Sequence, residues 1–264
     1  MRRIIRRLLR NSYLSLLGQF KTPSASIHIL NGHMVDWHHD NDKDGARFRK
    51  QLMELRKYCD FVNIEDAVSM IVNHIEVSRP TIAFTFDDGW RDCYTQIAPQ
   101  LEEYGVNAMF FINPGFADAA ERADEAYIKN FTENTTKSPG KHPMTWDQIK
   151  ELQRRGFKFG AHTVDHYCIA DDNITELEHQ IIDCKSMIEV QLGVSCDYFA
   201  FPYGQLKHAN PLSIDLACRY YPFVFSQDDE KHYFSFEGRV LNRRHFEPFW
   251  PASHVKYFLS FTRK

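Results

Sequence analysis

Strand-like and helix-like segments alternate along nearly the whole chain, and this alternation constrains the fold more than any other feature. Strand patterns occur at residues 26–31, 81–86, 106–112, 157–161, 198–201 and 223–226. Helical patterns occur at residues 45–58, 63–72, 92–104, 145–155, 173–192, 210–219 and 253–261. Such alternation builds a parallel sheet, either open or closed into a barrel. We therefore predict a single α/β domain over residues 26–264, a length that barrels commonly use.

One long segment, residues 113–143, breaks the alternation. It is rich in Gly, Pro, Asn and Thr and has no clear periodicity. Long irregular connections are uncommon in compact domains and are often functional. We expect a loop here that shapes one side of the binding cleft.

Residues 1–25 are predicted to form a separate basic amphipathic segment. Its arginines alternate with Ile and Leu and are Arg2, Arg3, Arg6, Arg7 and Arg10. A helix with one basic and one apolar face suits an anionic membrane surface, although it could also pack on the domain. Neither a signal peptide nor a membrane span is evident. We expect a cytoplasmic protein, in peripheral contact with the inner face of the membrane.

Composition excludes several other classes. The net charge of -3 gives no reason to expect nucleic-acid binding. The six cysteines lie too far apart for a zinc ribbon or a redox pair, and they do not indicate a disulfide framework. The 13 histidines favour metal or acid–base chemistry. No required protein partner is evident.

Three of the predicted strands end in polar or turn-forming residues. These ends carry Asp87-Asp88-Gly89, His162 with His166, and Pro202-Tyr203-Gly204. Each motif alone is more often a turn or a coincidence. Because the carboxyl ends of parallel strands meet on one face, the three together predict a functional site.

The histidine spacing indicates a metal site. His162 and His166 can approach one ion from a helical turn or from a tight loop of similar reach. Two imidazoles and a carboxylate leave coordination positions open, as catalytic metals require. Asp87 or Asp88 can supply the carboxylate while the other acts as a base. Such a site suits amide hydrolysis.

The segments TFDDG (85–89), HTVDH (162–166) and FAFPYG (199–204) resemble the successive motifs of the polysaccharide deacetylase family. That family includes chitin, chitooligosaccharide and peptidoglycan deacetylases. The approach MTWDQIKELQRRGFKFGAHTVDH and the segment ILNGHMV (29–35) are also similar to it. The resemblance covers residues 26–262 and implies an irregular (β/α) barrel with seven strands.

The resemblance also implies roles for individual residues. Asp87 is expected to be the general base. One divalent ion, usually zinc, with cobalt, nickel or manganese as other choices, is expected on Asp88, His162 and His166. Tyr203, next to Pro202, is expected to offer its backbone N–H to the oxyanion. Trp146 is expected either beside the site or in the core.

Two of the family's features are less clear in this sequence. Many members have an Arg in the third motif that orients the base, where this chain has Ala200 or Phe201. Candidates to replace it are Arg239, Arg243 and Arg244. The family's late histidine acid has one weak match, His245 in VLNRRHF (240–246). The histidines that follow the first strand, His33, His38 and His39, are expected to support the cleft rather than react.

The sequence therefore predicts a metal-dependent deacylase that removes an acyl group, expected to be acetyl, from an amino sugar. The substrate could be a glycan polymer or a lipid- or nucleotide-linked precursor. Two alternatives remain open. One is an amidase for a small non-sugar amide, and the other is an inactive glycan-binding protein of the same fold.

Overall fold

The computed structural model describes residues 2–37, 45–229 and 231–264, with side chains from residue 10 onward. The strands are β1 (Ile27–Gly32), β2 (Asp60–Phe61), β3 (Thr81–Phe86), β4 (Ala108–Ile112), β5 (Lys158–Ala161), β6 (Tyr198–Ala200), β7 (Phe223–Ser226), β8 (Phe234–Ser235), β9 (Val240–Asn242) and β10 (Arg244–His245). The α-helices are α1 (Arg2–Phe20), α2 (Gly45–Arg56), α3 (Ile64–Val72), α4 (Ala98–Glu102), α5 (Pro114–Glu121), α6 (Glu125–Asn130), α7 (Trp146–Arg154), α8 (Ile174–Glu178), α9 (Cys184–Leu192), α10 (Pro211–Tyr220) and α11 (Ala252–Leu259). His38 and His39 lie outside the described residues.

The sheet confirms the predicted α/β barrel. Its order is β10-β1-β3-β4-β5-β6-β7-β9-β8, with β2 added beside β3. Every neighbouring pair is parallel except β8 with β9. β9 pairs with β7 and β10 pairs with β1, and only Arg243 separates them in the chain. The segment 240–245 therefore joins the two ends of the curled parallel sheet.

Helices with one apolar face cover the sheet. In α3 the buried residues are Ile64, Ala67, Val68 and Ile71, a spacing that places them on one side of the helix. α7 begins as the sequence predicts, because the Thr145 side chain and Gln148 form a capping box. Each fully buried large apolar side chain contributes about 1.5–3 kcal/mol through its removal from water. Packing of this kind fixes the strand ends that carry the polar residues.

The predicted loop over residues 113–143 is wrong in part, because the segment contains helices α5 and α6 and a π-helical turn at Phe131–Thr135. Pro114 occupies the first turn of α5, where its missing N–H costs nothing. Phe116 and Phe131 are buried and stack with ring centroids 3.9 Å apart. Short turns that bury one or two aromatic residues are too brief to show a period in sequence.

Helix α1 packs on α11 through its C-terminal half. The ring of Tyr13 meets Tyr257 at 6.2 Å, and Ser15 Oγ lies 2.8 Å from His254 Nε2. The side chains of residues 2–9 are outside the description, so the basic membrane-facing surface and the boundary at residue 25 stay predictions. Among the described residues, no helix is both long and apolar enough to span a bilayer.

Candidate metal and catalytic site

Two carboxylates follow β3 at the end of the sheet where parallel strands present functional groups. Asp87 continues the strand pairing, since its N–H donates to Gly32 O at 3.0 Å. Asp88 and Gly89 both have φ of +74°. Aspartate tolerates this left-handed conformation better than most residues. The turn of the chain at Asp88 lets the two adjacent carboxylates make different contacts.

The two histidines lie on a tight loop after β5, and not on a helix. Thr163 and His166 have φ of +61° and +58°. A left-handed β-branched residue is strained and persists only where its surroundings hold it. Here Asn113 Nδ2 donates to Thr163 O at 2.9 Å, and Thr163 Oγ1 accepts from Tyr167 N–H at 2.8 Å. The loop therefore holds both imidazoles in one place.

Asp88, His162 and His166 converge, as the sequence predicts. Asp88 Oδ1 lies 3.5 Å from His162 Nε2 and 3.3 Å from His166 Nε2. The His162 Nδ1 atom lies 2.6 Å from Ala200 O, a contact that places the proton on Nδ1 and leaves Nε2 as a lone-pair donor. Burial raises the pKa of Asp88, but the neighbouring His166 and His162 bring that pKa well below its usual range.

A divalent cation fits these residues. Asp88 Oδ1 is buried and has no hydrogen-bond donor among the described residues, while Oδ2 accepts from Trp90 Nε1 at 2.9 Å. One ring nitrogen of His162, one ring nitrogen of His166 and a carboxylate oxygen of Asp88 lie within 4.8 Å of one another. Two imidazoles and one oriented carboxylate match the donor set of catalytic zinc sites, which keep positions open.

Asp87 does not join this cluster and instead pairs with Arg243. The guanidinium donates to both carboxylate oxygens, at 2.7 and 2.9 Å, and also to Asn31 and Thr85. Burial raises the pKa of Asp87, but Arg243 and then His162 outweigh it, so the pKa lies below its usual value. Asp87 is therefore an ionised, oriented carboxylate beside the candidate metal ligands.

The other two candidate arginines point elsewhere. Arg239 is exposed and pairs with Asp215 at the surface. Arg244 is buried but donates to the carbonyl oxygens of Phe258 and Phe261 next to α11. Of the two adjacent arginines, Arg243 is the one whose guanidinium donates to both carboxylate oxygens of Asp87.

Asp87, Asp88, His162 and His166 line a cavity of about 130 Å³. Its walls include residues that the sequence did not single out, namely Trp37, Thr135, Thr136 and Gln227, and it also includes His33. A larger cavity of about 440 Å³ opens where β5 and β6 begin, but among the described residues it holds no comparable group of metal ligands. The chemistry of the side chains, rather than the volume, therefore locates the site.

Tyr203 lies on the rim of the site cavity. It has φ of +62°, its ring meets His166 at 4.7 Å, and Pro202 before it is buried. Within the described chain, the Tyr203 N–H has no acceptor, whereas its carbonyl accepts from Gln227 Nε2 at 3.1 Å. Its amide is thus available, as the oxyanion prediction requires.

His33, and not the predicted His245, lines the cavity with the two aspartates. The ring Nδ1 of His33 lies 2.8 Å from Glu247 Oε1, and the backbone N–H of His33 donates to Glu247 Oε2 at 3.2 Å. Burial lowers the pKa of His33, but Glu247 and then Asp88 and Asp87 raise it to about 9. The ring is therefore an imidazolium at neutral pH. A histidine two residues from the first strand was the available signal for this position.

His245 and Trp146 lie outside this cavity. His245 lines a neighbouring cavity of about 320 Å³ with Trp37, Phe249 and Trp250, and burial lowers its pKa. Trp146 is buried, and its Nε1 donates to Asp118 at 2.7 Å, so of its two predicted positions it takes the core. The structure therefore brings neither side chain to the metal ligands.

Comparisons with known proteins agree with this geometry. The chain is similar to YxkH of Bacillus subtilis (strain 168), a protein named for the polysaccharide deacetylases, at 24% identity over 170 residues. That match spans 62% of this chain and 53% of YxkH, so the chain covers about half of its relative. A bifunctional xylanase/deacetylase of Pseudobutyrivibrio xylanivorans is 24% identical over 147 residues, which are 56% of this chain and 20% of that protein.

Solved structures match over a larger share of the chain. The Streptococcus pyogenes deacetylase PplD, in complex with acetate, has a TM-score of 0.67 at 20% identity, covering 90% of this chain and 99% of that one. IcaB from Ammonifex degensii has a TM-score of 0.68 at 21% identity, covering 91% and 99%. These likenesses establish the fold. The polysaccharide deacetylase family model matches residues 74–217, more than half of the sequence. The chain therefore belongs to the polysaccharide deacetylase family.

Proposed function

We propose that this protein is a metal-dependent hydrolase that removes the N-acyl group, acetyl in the first instance, from an amino sugar in a glycan or glycan precursor. The observation that carries the proposal is the buried group of Asp88, His162 and His166, next to the ionised Asp87. Amide hydrolysis needs an electrophilic aid, a base and an acid near one carbonyl group.

We assign residues of the site to each of these three roles. Asp88, His162 and His166 would hold the cation, which would supply Lewis acidity and lower the pKa of a water molecule. Asp87 is placed to accept a proton from the water that attacks the acyl carbon. Arg243 keeps Asp87 ionised and fixes its two oxygens. The base is thereby ready at neutral pH without prior deprotonation.

The remaining steps concern the oxyanion and the leaving amine. The Tyr203 N–H is placed to donate to the carbonyl oxygen as it gains negative charge. His33, held as an imidazolium by Glu247, donates a proton to the sugar nitrogen as the C–N bond breaks. The products are a carboxylic acid and a free amine. We thus assign the acid role to His33 in place of His245.

Specific observations weigh against the two alternatives. The missing third-motif arginine and the uncertain acid favour an inactive protein, but Arg243 pairs with Asp87 and His33 offers an acid. A small amide needs only the inner cavity, whereas the neighbouring cavity shares Trp37 with it and adds Phe249 and Trp250. Aromatic faces of this kind offer apolar surface to a sugar ring. A glycan substrate is therefore favoured.

Removal of the cation is expected to abolish activity. Chelator-treated protein should release no acetate from N-acetylglucosamine oligomers, and one equivalent of Zn²⁺ or Co²⁺ should restore the release. His162→Ala should fail to recover, because it lacks one ligand. Acetate release and bound metal are measured on the same samples.

His179→Ala is the matched control, since this surface histidine pairs with Asp183 at 3.0 Å and lies outside the site. It should recover like the wild type. Full acetate release by chelated protein, or by His162→Ala, would contradict the proposal.

The acid assignment predicts a shift in the pH profile. Activity should fall as His33 loses its proton, near its pKa of about 9. Glu247→Gln removes the charge that raises this pKa, while burial still lowers it, so the alkaline limb should move toward neutral pH. The measurement is kcat/KM against pH, which reports groups of the free enzyme. An unchanged alkaline limb would remove His33 from the acid role.

A further inference from the structure

A second group of metal-ligand side chains lies beside the site and shares its His33. The Nδ1 or Nε2 atoms of His33 and His245 and a carboxylate oxygen of Glu247 lie within 4.8 Å of one another. Glu247 Oε1 lies 2.8 Å from His33 Nδ1 and 3.6 Å from His245 Nε2. Within the described residues, this is the one group besides Asp88, His162 and His166 in which three such side chains come so close.

The spacing suits a cation. Ligand atoms at zinc lie about 2.0–2.2 Å from the ion, so tetrahedral neighbours are about 3.4 Å apart. The two measured separations bracket that value. Glu247 is buried, with 2% of its side chain exposed, while 38% of the His245 side chain is exposed. The buried carboxylate is thus oriented, and the accessible imidazole leaves an entry path and room for water.

We propose that His33, His245 and Glu247 form a second divalent-cation site, which takes Zn²⁺ and inhibits the enzyme when filled. The inhibitory part rests on the proposed role of His33 as the acid. When a cation binds His33 Nδ1, the Nδ1–H bond breaks, its proton leaves to solvent, and a coordinate bond replaces it. The bound ring is then a neutral imidazole, and its remaining Nε2–H is a much weaker acid than the imidazolium that the leaving amine needs.

Metal stoichiometry tests the site directly. Chelated wild-type protein, dialysed against rising Zn²⁺, is expected to bind two equivalents. His245→Ala should bind one equivalent of Zn²⁺, at the site formed by Asp88, His162 and His166. That equivalent should still restore acetate release. His162→Ala should also bind one, at the second site. The surface variant His179→Ala should bind two, like the wild type.

Inhibition is tested by acetate release at one equivalent and at excess Zn²⁺, each variant being compared with itself at one equivalent. The wild type should lose most of its activity in excess, at the concentration that fills the second site. His245→Ala and His245→Gln should lose none. One equivalent in wild-type protein, or two in His245→Ala, would overturn the site. Two equivalents without inhibition would overturn the inhibitory role. Because the dialysis needs no activity, failure of the deacetylase assay alone would count against the proposed function and not against this site.

Discussion

Asp87→Asn is expected to lower kcat by about 10²- to 10⁴-fold, the range that a general base contributes. An amide cannot accept the proton of the attacking water, yet it keeps the size of the carboxylate and one acceptor for Arg243. Because Asp87 is not among the converging ligands, bound metal should stay at the wild-type level. Steady-state acetate release and metal content, measured together, check both expectations.

The neighbouring Asp88→Asn is the matched variant. It should lose activity and metal together, because Asp88 Oδ1 faces both imidazoles. The same Asp→Asn change at these two adjacent positions is therefore expected to give different results. At Asp87 only activity should fall, whereas at Asp88 both activity and bound metal should fall. Wild-type kcat in Asp87→Asn would exclude Asp87 as the base, and wild-type metal content in Asp88→Asn would exclude Asp88 as a ligand.

Arg243→Met is expected to lower the free energy of unfolding by about 3–5 kcal/mol, because it leaves a buried carboxylate without its partner. The Arg243 side chain is fully buried, and Asn31 and Thr85 lose their guanidinium donor too. Urea unfolding at neutral pH measures the loss. Arg239→Met removes a surface arginine paired with Asp215, and its unfolding midpoint should stay near the wild-type value.

The pH dependence of this loss has a definite sign. In the folded wild type the pKa of Asp87 is lower than in the unfolded chain. The Asp87–Arg243 pair therefore contributes its full stability at pH values above the pKa of Asp87 in the unfolded chain. It loses that contribution as the pH falls through the pKa of Asp87 in the folded protein. Without Arg243, burial dominates and raises that pKa. The deficit of Arg243→Met should then shrink as pH falls and Asp87 takes up a proton. A deficit that is constant with pH would mean that lost packing, and not the buried charge, causes it.

The convergence of the proposed metal ligands could be predicted because each follows a strand that is legible in the sequence. The patterns TIAFTF (81–86) and the strand before His162 are short and apolar, and both lie in the observed sheet. Parallel pairing then brings Asp88 and His162 to the same edge, whatever the exact register. The i, i+4 spacing of His162 and His166 is compatible with either a helix or a loop. The left-handed backbone conformation of Thr163 and His166 makes this segment a loop.

The arginine that pairs with Asp87 could not be chosen in the same way. Three arginines within six residues were candidates, and they flank or lie in β9 and β10, two strands that are too short to show a pattern. β9 pairs with β7, and β10 pairs with β1, which lies more than 200 residues earlier in the chain. This long-range register turns Arg243 inward. The proposed acid is a similar case, because the raised pKa of His33 depends on Glu247, which lies 214 positions away in the chain.

The sequence by itself determined the alternation of strands and helices, the strand ends that bear Asp87, Asp88, His162 and His166, and the family. These features depend on local patterns, which a chain carries at short range. Only the tertiary structure decided which arginine pairs with Asp87, which histidine faces the cleft and how residues 113–143 fold. Those outcomes depend on register and burial between distant segments, where a shift of one residue reverses the side that a side chain faces.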